Sequence, residues 1–448
     1  MELQRKAAKR IEKWFQKERN ALLVRGARQV GKTFLIRQVL SSLGCNVIEI
    51  NLIDSPEMIS VLEQSRTVDD LILGFSTAGF GRPVPGESVI FIDEVQKYKD
   101  MITRIKFLVE EGSFRYILSG SLLGIELTGL SSAPVGYLSI LDMFPLDFEE
   151  FLQTANISEE SLSSLRDSFF KRKPVLDAVN EKMLTLFTRY LMIGGMPAAV
   201  SRFAETNNIE DVISIHKELV SLYKMDFTQY EQVDRKLLIS NTYDLVPSEL
   251  LKQNKRFIVS DLKKGLHYER VESTFLWLEN AGVVITAYNA TEPRIPLRLN
   301  EKHSLFKLYL ADVGLLTSIY GIATKRMLFS RSVNLNAGGI HENAIAQELY
   351  SRQFPIYYYN SNRLGELDFV IEYEGRILPI EVKSGKDYTI HSAINNCLEN
   401  KEFGISEAFV LSNCNIERRG KVTYLPIYMA MFITQDSYGD FTLPPLTF

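Results

Sequence analysis

The sequence predicts a multidomain α/β protein, and three observations carry that class. The chain has 448 residues, enough for about two to four domains. In its first third, apolar runs without alternation lead into glycine-rich or acidic turns, the pattern of a parallel sheet covered by helices on both faces. In its last third, two alternating runs flank a Glu-Gly turn, the pattern of a hairpin. The organisation expected from these signals is a phosphate-binding α/β domain over residues 1–150, a helical lid over 151–234, a winged-helix-like module over 235–325 and a second α/β domain over 333–448. Residues 325–338 read as the linker into the last of these.

The first strand, Ala21-Leu22-Leu23-Val24, leads into Gly26-Ala27-Arg28-Gln29-Val30-Gly31-Lys32-Thr33. Every fixed position of the phosphate-binding loop is filled. Gly26 and Gly31 let the backbone curl so that successive N–H groups point at phosphate oxygens. A helix starting near Lys32 aims its positive dipole end at the same anion. Lys32 supplies a point charge to the β- and γ-phosphates, and the Thr33 hydroxyl suits a magnesium ion. The stretch Phe34 to Leu40 has helical spacing. Gly26 to Thr33 and Phe34 are thus the candidate ATP-binding residues.

Val89-Ile90-Phe91-Ile92-Asp93-Glu94 reads as a buried parallel strand with two acids at its carboxyl end, where an α/β sheet places ligands. Asp93 is expected to hold magnesium and Glu94 to polarise the attacking water. The alternative is a strand that merely ends in solvated acids. Tyr116-Ile117-Leu118-Ser119-Gly120-Ser121 is the next strand, and Ser119 either senses the γ-phosphate or is a plain strand-end serine.

Near the C-terminus, Gly365 to Tyr373 and Arg376 to Lys383 form two strands joined at Glu374-Gly375. If Tyr373 faces Arg376, Asp368 falls opposite Glu381, with Lys383 two residues along on the same face. Facing acids repel unless a cation lies between them or one is protonated. Magnesium or manganese suits such hard oxygen ligands, with Asp368 and Glu381 as ligands and Lys383 beside the attacking water. Glu342 lies on the apolar stripe of a helix over Ile340 to Ser351, where a carboxylate needs a partner. The order helix-Glu, strand-Asp, strand-Glu-x-Lys is the PD-(D/E)XK nuclease pattern, which makes Glu342, Asp368, Glu381 and Lys383 candidate catalytic residues beside Lys32 and Glu94. The plainer alternative for Glu381 and Lys383 is a surface pair on an edge strand.

Between these sites, a short helix at Ser260-Asp261-Leu262, a helix from Tyr268 to Asn280 and a strand from Val283 to Tyr288 follow the winged-helix order. Lys252, Lys255, Arg256, Lys263, Lys264 and Arg270 surround it, suited either to DNA phosphates or to a solvated basic face.

Apolar residues make up 46% and charged residues 24%, ordinary for a globular protein. The net charge of −4 leaves no overall basic surface for nucleic acid. Cys45, Cys397 and Cys414 follow no ligand spacing, which fits a reducing compartment. The basic N-terminus lacks the apolar core of a signal peptide, and no apolar run reaches membrane-spanning length. A cytoplasmic protein without a membrane partner is expected.

The phosphate loop, the Asp93-Glu94 strand end and Ser119-Gly120-Ser121 together resemble a family of bacterial and archaeal AAA-type ATPases. Phe144-Pro145-Leu146-Asp147-Phe148-Glu149-Glu150-Phe151, Ile193-Gly194-Gly195-Met196-Pro197 and Lys307 to Leu316 look like further landmarks of it. The resemblance implies a P-loop AAA-type ATPase fold, ATP with magnesium as cofactors and a C-terminal domain similar to PD-(D/E)XK nucleases. It also implies a DNA or protein partner, or self-assembly. One departure stands out. Ring ATPases of this type carry an arginine after the sensor strand that reaches a neighbouring subunit, but Gly129 to Leu141 contains no Arg or Lys. Arg104 and Arg115 are the nearest upstream candidates.

Overall fold

The computed structural model describes residues 3–98, 100–121, 136–229, 233–262, 264–332, 335–385 and 387–435. Lys263 and the first part of the arginine-free stretch from Gly129 lie outside these. The chain forms two compact units, each assembled from separated stretches. One comprises residues 1–146, 196–240 and 272–284; the other comprises 147–195, 241–271 and 285–448.

The first unit is built on a five-stranded parallel sheet. Its strands are β1 (Ala21–Arg25), β2 (Asn46–Asn51), β3 (Ser88–Asp93), β4 (Arg115–Gly120) and β5 (Leu138–Asp142), in spatial order β2-β3-β4-β1-β5. β3 is buried at every residue, which explains its unbroken apolar run. Ile90, Ile92, Leu118 and Leu23 pack with Phe75, Met101 and Ile105 from the covering helices. The parallel register sets Val24 beside Ser119 and Asn51 beside Asp93. The loop after β1 and the acids after β3 therefore emerge at the same carboxyl edge of the sheet.

The second unit carries an eight-stranded mixed sheet in the order β12-β13-β11-β10-β9-β8-β6-β7. The strands are β6 (Val284–Ala290), β7 (Glu301–Leu310), β8 (Tyr357–Ser361), β9 (Gly365–Tyr373), β10 (Arg376–Lys383), β11 (Ala408–Ser412), β12 (Glu417–Arg419) and β13 (Val422–Pro426). Glu374 and Gly375 both have positive φ, at 49° and 68°, as a tight two-residue hairpin turn requires. Tyr373 consequently pairs with Arg376 and Phe369 with Ile380. β10 then runs parallel to β11 after the crossover helix Ser392–Glu399. The helix Gly338–Ser351 is buried from Gly339 to Leu349 and packs across β7 and β10. Close packing is possible at its start because Gly339 has no Cβ to strike the Leu250 carbonyl.

The helices Val259–Leu262 and Tyr268–Asn280 are present. Ser260 lies inside the first of them. The strands that follow join the eight-stranded sheet, because Tyr288 and Asn289 find hydrogen-bonding partners in β8. Among the described residues no single helix is long and apolar enough to cross a membrane.

Candidate functional site

The helix Lys32–Ser42 begins at Gly31, whose φ of 92° favours glycine. At Gly26, φ is 153° and a Cβ would strike the Met143 carbonyl, so the turn out of β1 admits no side chain. Between them the loop wraps the helix N-terminus, where backbone donors lack intrahelical partners. Lys32 is buried and donates to the carbonyls of Gly26 and Ala27 at 3.0 and 2.9 Å, with the Ser121 hydroxyl at 3.5 Å. Burial pushes the Lys32 ammonium down to about 8, against the opposing pull of Glu94 and Asp93.

Asp93 is buried and receives three donors: the Thr33 hydroxyl at 2.7 Å, the Glu94 N–H at 3.0 Å and the Ser119 hydroxyl. Ser119 has no exposed surface and points at Asp93. Ser121 is the serine beside Lys32. Glu94 leaves the strand in a left-handed conformation, and its carboxylate accepts from the Gln96 amide. Sequence reasoning did not single out Gln96; its signal is the two-residue spacing across a 3-10 turn.

Other parts of this unit brace the loop. Arg5 donates to the Val30 carbonyl at 3.0 Å. Arg28 pairs with Asp226 at 2.7 Å, and the Tyr223 hydroxyl donates to the Arg28 carbonyl at 3.2 Å; both partners lie on the helix Ile209–Gln229. Gln29 adopts a positive φ of 64°. Ala27 and Val30 are buried, whereas Phe34 is exposed. Arg104 donates to the carbonyls of Glu63 and Ser65, and Arg115 to that of Glu18. Both arginines are thus engaged within their own chain.

In the second unit, the regular ladder ends at Phe369 and Ile380. One residue further, the Asp368 carboxylate accepts from the Val382 N–H at 2.8 Å. Glu381 is 7% exposed on an interior strand, so it is no edge-strand surface pair. One of its oxygens meets Lys383 at 2.5 Å, while Oε2 is buried without a hydrogen-bond partner. Glu342 is buried too: Oε1 pairs with Lys255, and Oε2 lies 3.8 Å from Lys307 and 3.5 Å from the Tyr309 hydroxyl. Lys307 also meets Glu366 at 2.7 Å. Burial, and then Asp368, push both Glu342 and Glu381 up to about 7, with their lysines opposing. The acids feel one another but do not converge: among the described residues, no three His, Cys, Asp or Glu side chains are placed to hold one metal ion. The Lys255 pair holds Glu342 to a different partner.

Lys255 and Lys307 were not anticipated in this role. The one available signal was a lysine at 307 within an otherwise apolar strand end, which must find a counter-charge when buried. Of the basic residues expected to face DNA, Lys252 pairs with Glu249 and Asp261, and Arg256 bonds Asn254. Lys264 is exposed.

Comparison with known proteins agrees with the first site. Residues 18–152 match the family described as AAA domain. Residues 184–326 and 337–429 match two domains of unknown function, DUF8612 and DUF4143. The chain therefore carries an AAA-type P-loop ATPase domain, and it is an ATPase that uses ATP. No curated protein matches it. Among solved structures, the Walker-type ATPase PABY2304 of Pyrococcus abyssi is similar at 14% identity, over 71% of this chain and 96% of that one, with a TM-score of 0.44. The Aeropyrum pernix ORC1 protein in complex with DNA is similar at 16% identity, over 73% and 95%, with a TM-score of 0.28. The Thermotoga maritima RuvB Holliday junction branch migration motor is similar at 16% identity, over 66% and 91%, with a TM-score of 0.27.

Proposed function

We propose that the chain is a magnesium-dependent ATPase whose nucleotide state controls a metal-dependent nuclease site in its second unit. At the first site, Thr33 and Asp93 would hold magnesium, which neutralises phosphate charge when bound. Lys32 exchanges its two loop carbonyls for phosphate oxygens. Glu94, aimed by Gln96, orients the attacking water.

At the second site, the observation that carries the proposal is the buried, unpartnered oxygen of Glu381. A carboxylate so placed, beside Asp368, fits a hard divalent cation. Asp368 and Glu381 would hold it, and it would supply charge stabilisation for phosphodiester hydrolysis. Lys383 is positioned to hold a water or phosphate oxygen next to them. Glu342, on the helix, completes the helix-Glu, strand-Asp, strand-Glu-x-Lys order, and the hairpin, crossover helix and parallel strand β11 follow it in sequence. DNA is the proposed substrate.

The experiment is cleavage of linear, circular and single-stranded DNA with magnesium or manganese, with and without ATP. Cleavage lost in Glu381→Ala, with ATP hydrolysis intact, supports the proposal; equal cleavage by that variant sinks it. A second reading is favoured by the Lys255–Glu342 pair, which already fills part of the acidic cluster. In that reading the chain is an ATP-dependent switch that binds DNA or a protein through a catalytically silent domain. Retained DNA binding without cleavage under any condition would point there.

A further inference from the structure

Charge is unevenly placed along this chain. Residues 1–20 hold seven basic and three acidic side chains, whereas the whole chain stands at −4. Most of that basic charge lies on the helix Lys6–Lys17. At about 100° per residue, Lys9, Lys13 and Lys17 fall within one arc of about 80°, and all three are exposed. Lys6 lies in the same arc, and Glu12 stands outside it. The opposite face carries Ile11 and Trp14, which have no exposed surface. Glu18, just past the helix end, is taken up by Arg10 and by the Ser139 hydroxyl at 2.6 Å. Among the described residues, Lys9, Lys13 and Lys17 form no ion pair.

A row of ammonium groups on one helix face suits a regular polyanion. The stems of Lys9, Lys13 and Lys17 stand about 6 Å apart along the helix axis. Duplex DNA presents a phosphate about every 3.4 Å along each strand, so each flexible stem can reach a phosphate of its own. A lipid surface fits less well, because an interfacial helix needs an apolar face to bury among the acyl chains. Here that face is spent inside the protein, where the Trp14 Nε1–H donates to the Asn20 carbonyl at 2.7 Å. Arg5, the residue before the helix, donates to the Val30 and Phe144 carbonyls at 3.0 and 2.6 Å, which ties the helix to the phosphate loop.

We propose that the exposed lysine face of the helix Lys6–Lys17 is a docking surface for the phosphate backbone of duplex DNA. The surface belongs to the ATPase unit and meets charge without reading sequence. It goes beyond the reading of the second unit and needs no cleavage there.

The test is the anisotropy of a short labelled duplex with the full chain, over a salt series without divalent metal. Wild type is compared with the triple variant Lys9→Gln, Lys13→Gln, Lys17→Gln. The control is Lys173→Gln, Lys182→Gln, Lys401→Gln, which removes the same charge from exposed lysines of the other unit. Loss of three phosphate contacts should lower the slope of log affinity against log salt by about 2–3 and weaken binding about tenfold or more at low salt. The control should keep the wild-type slope. Equal behaviour of the two variants, or no binding by wild type, overturns the proposal; so does binding of phosphatidylserine vesicles in place of duplex. Binding that needs these lysines, with no cleavage under any condition, leaves the surface standing while the nuclease reading fails. A second measurement needs no variant. In the wild-type chain, duplex should slow acetylation of Lys9, Lys13 and Lys17, read by peptide mass, severalfold relative to Lys173, Lys182 and Lys401. Uniform protection, or none, overturns the docking surface.

Discussion

Replacing Glu381 by glutamine should stabilise the β9–β10 hairpin at pH 8 and leave it nearly unchanged at pH 4. Burial first, and Asp368 second, raise the Glu381 carboxyl from 4.5 to about 7. The native state therefore keeps a proton that the unfolded chain has lost across that window. The stability contributed by the neutral acid is complete below pH 4.5 and is lost as pH rises through about 7. A rise of roughly 2.5 units corresponds to about 3 kcal/mol, the burden of ionising Glu381 in place. Glutamine has nearly the same shape and no charge, so it escapes that burden. The tryptophans Trp14 and Trp277 lie in the other unit, so their fluorescence is a poor reporter of the hairpin. Amide exchange in peptides from residues 365–383 is a direct one. At pH 8 the variant should exchange about 100-fold more slowly than wild type, and at pH 4 the ratio should approach one. The same ratio at both pH values would refute the buried-acid account of this site.

Three further outcomes follow from the first unit. Glu94→Gln should keep ATP binding but slow phosphate release by about 100-fold or more; unimpaired turnover would remove Glu94 from the water-orienting role. Gly26→Ala should lower the melting temperature, since a strained φ and a collision with the Met143 carbonyl cost about 1–3 kcal/mol, and Trp14 fluorescence will follow it. Asp226→Asn releases the Arg28 guanidinium from its ion pair and should tighten nucleotide binding about two- to fivefold, the scale of a partly exposed pair. Weaker binding in a titration with labelled nucleotide would show that Asp226 positions Arg28 instead of restraining it.

Much of the local geometry around both sets of candidate residues is readable because local rules set it. The phosphate loop needs glycine at Gly26 and Gly31 for backbone reasons that any reader can count. The hairpin register followed from Glu374-Gly375, which fixes Tyr373 opposite Arg376 and so brings Asp368 near Glu381. Long-range choices were not readable. Lys255 precedes Glu342 by 87 residues, and no periodicity encodes an ion pair at that distance. Ser119 ends its strand like a phosphate sensor, but its hydroxyl turns to Asp93; which face a strand-end serine shows depends on the neighbouring strand. The strands β6 and β7 follow two helices in winged-helix order, but their open hydrogen bonds are met within a larger sheet. The interleaving of the two units is likewise a matter of tertiary contacts alone.

If the proposed second site exists, the two sites would present opposite charges to their ligands, and this shapes how any coupling between them must be measured. In the proposed reading, the loop around Lys32 would receive an anion that arrives carrying magnesium, and Asp368 and Glu381 would receive the bare cation. ATP in solution chelates the same ion, so added nucleotide lowers the free metal available to Asp368 and Glu381 by mass action. A drop in DNA cleavage on adding ATP would then arise with no communication through the protein at all. Measured at a fixed free manganese concentration, an effect of ATP that survives in wild type and vanishes in Lys32→Ala reports coupling through the chain. An effect that disappears once free metal is held constant reports chelation, and the two units then work independently.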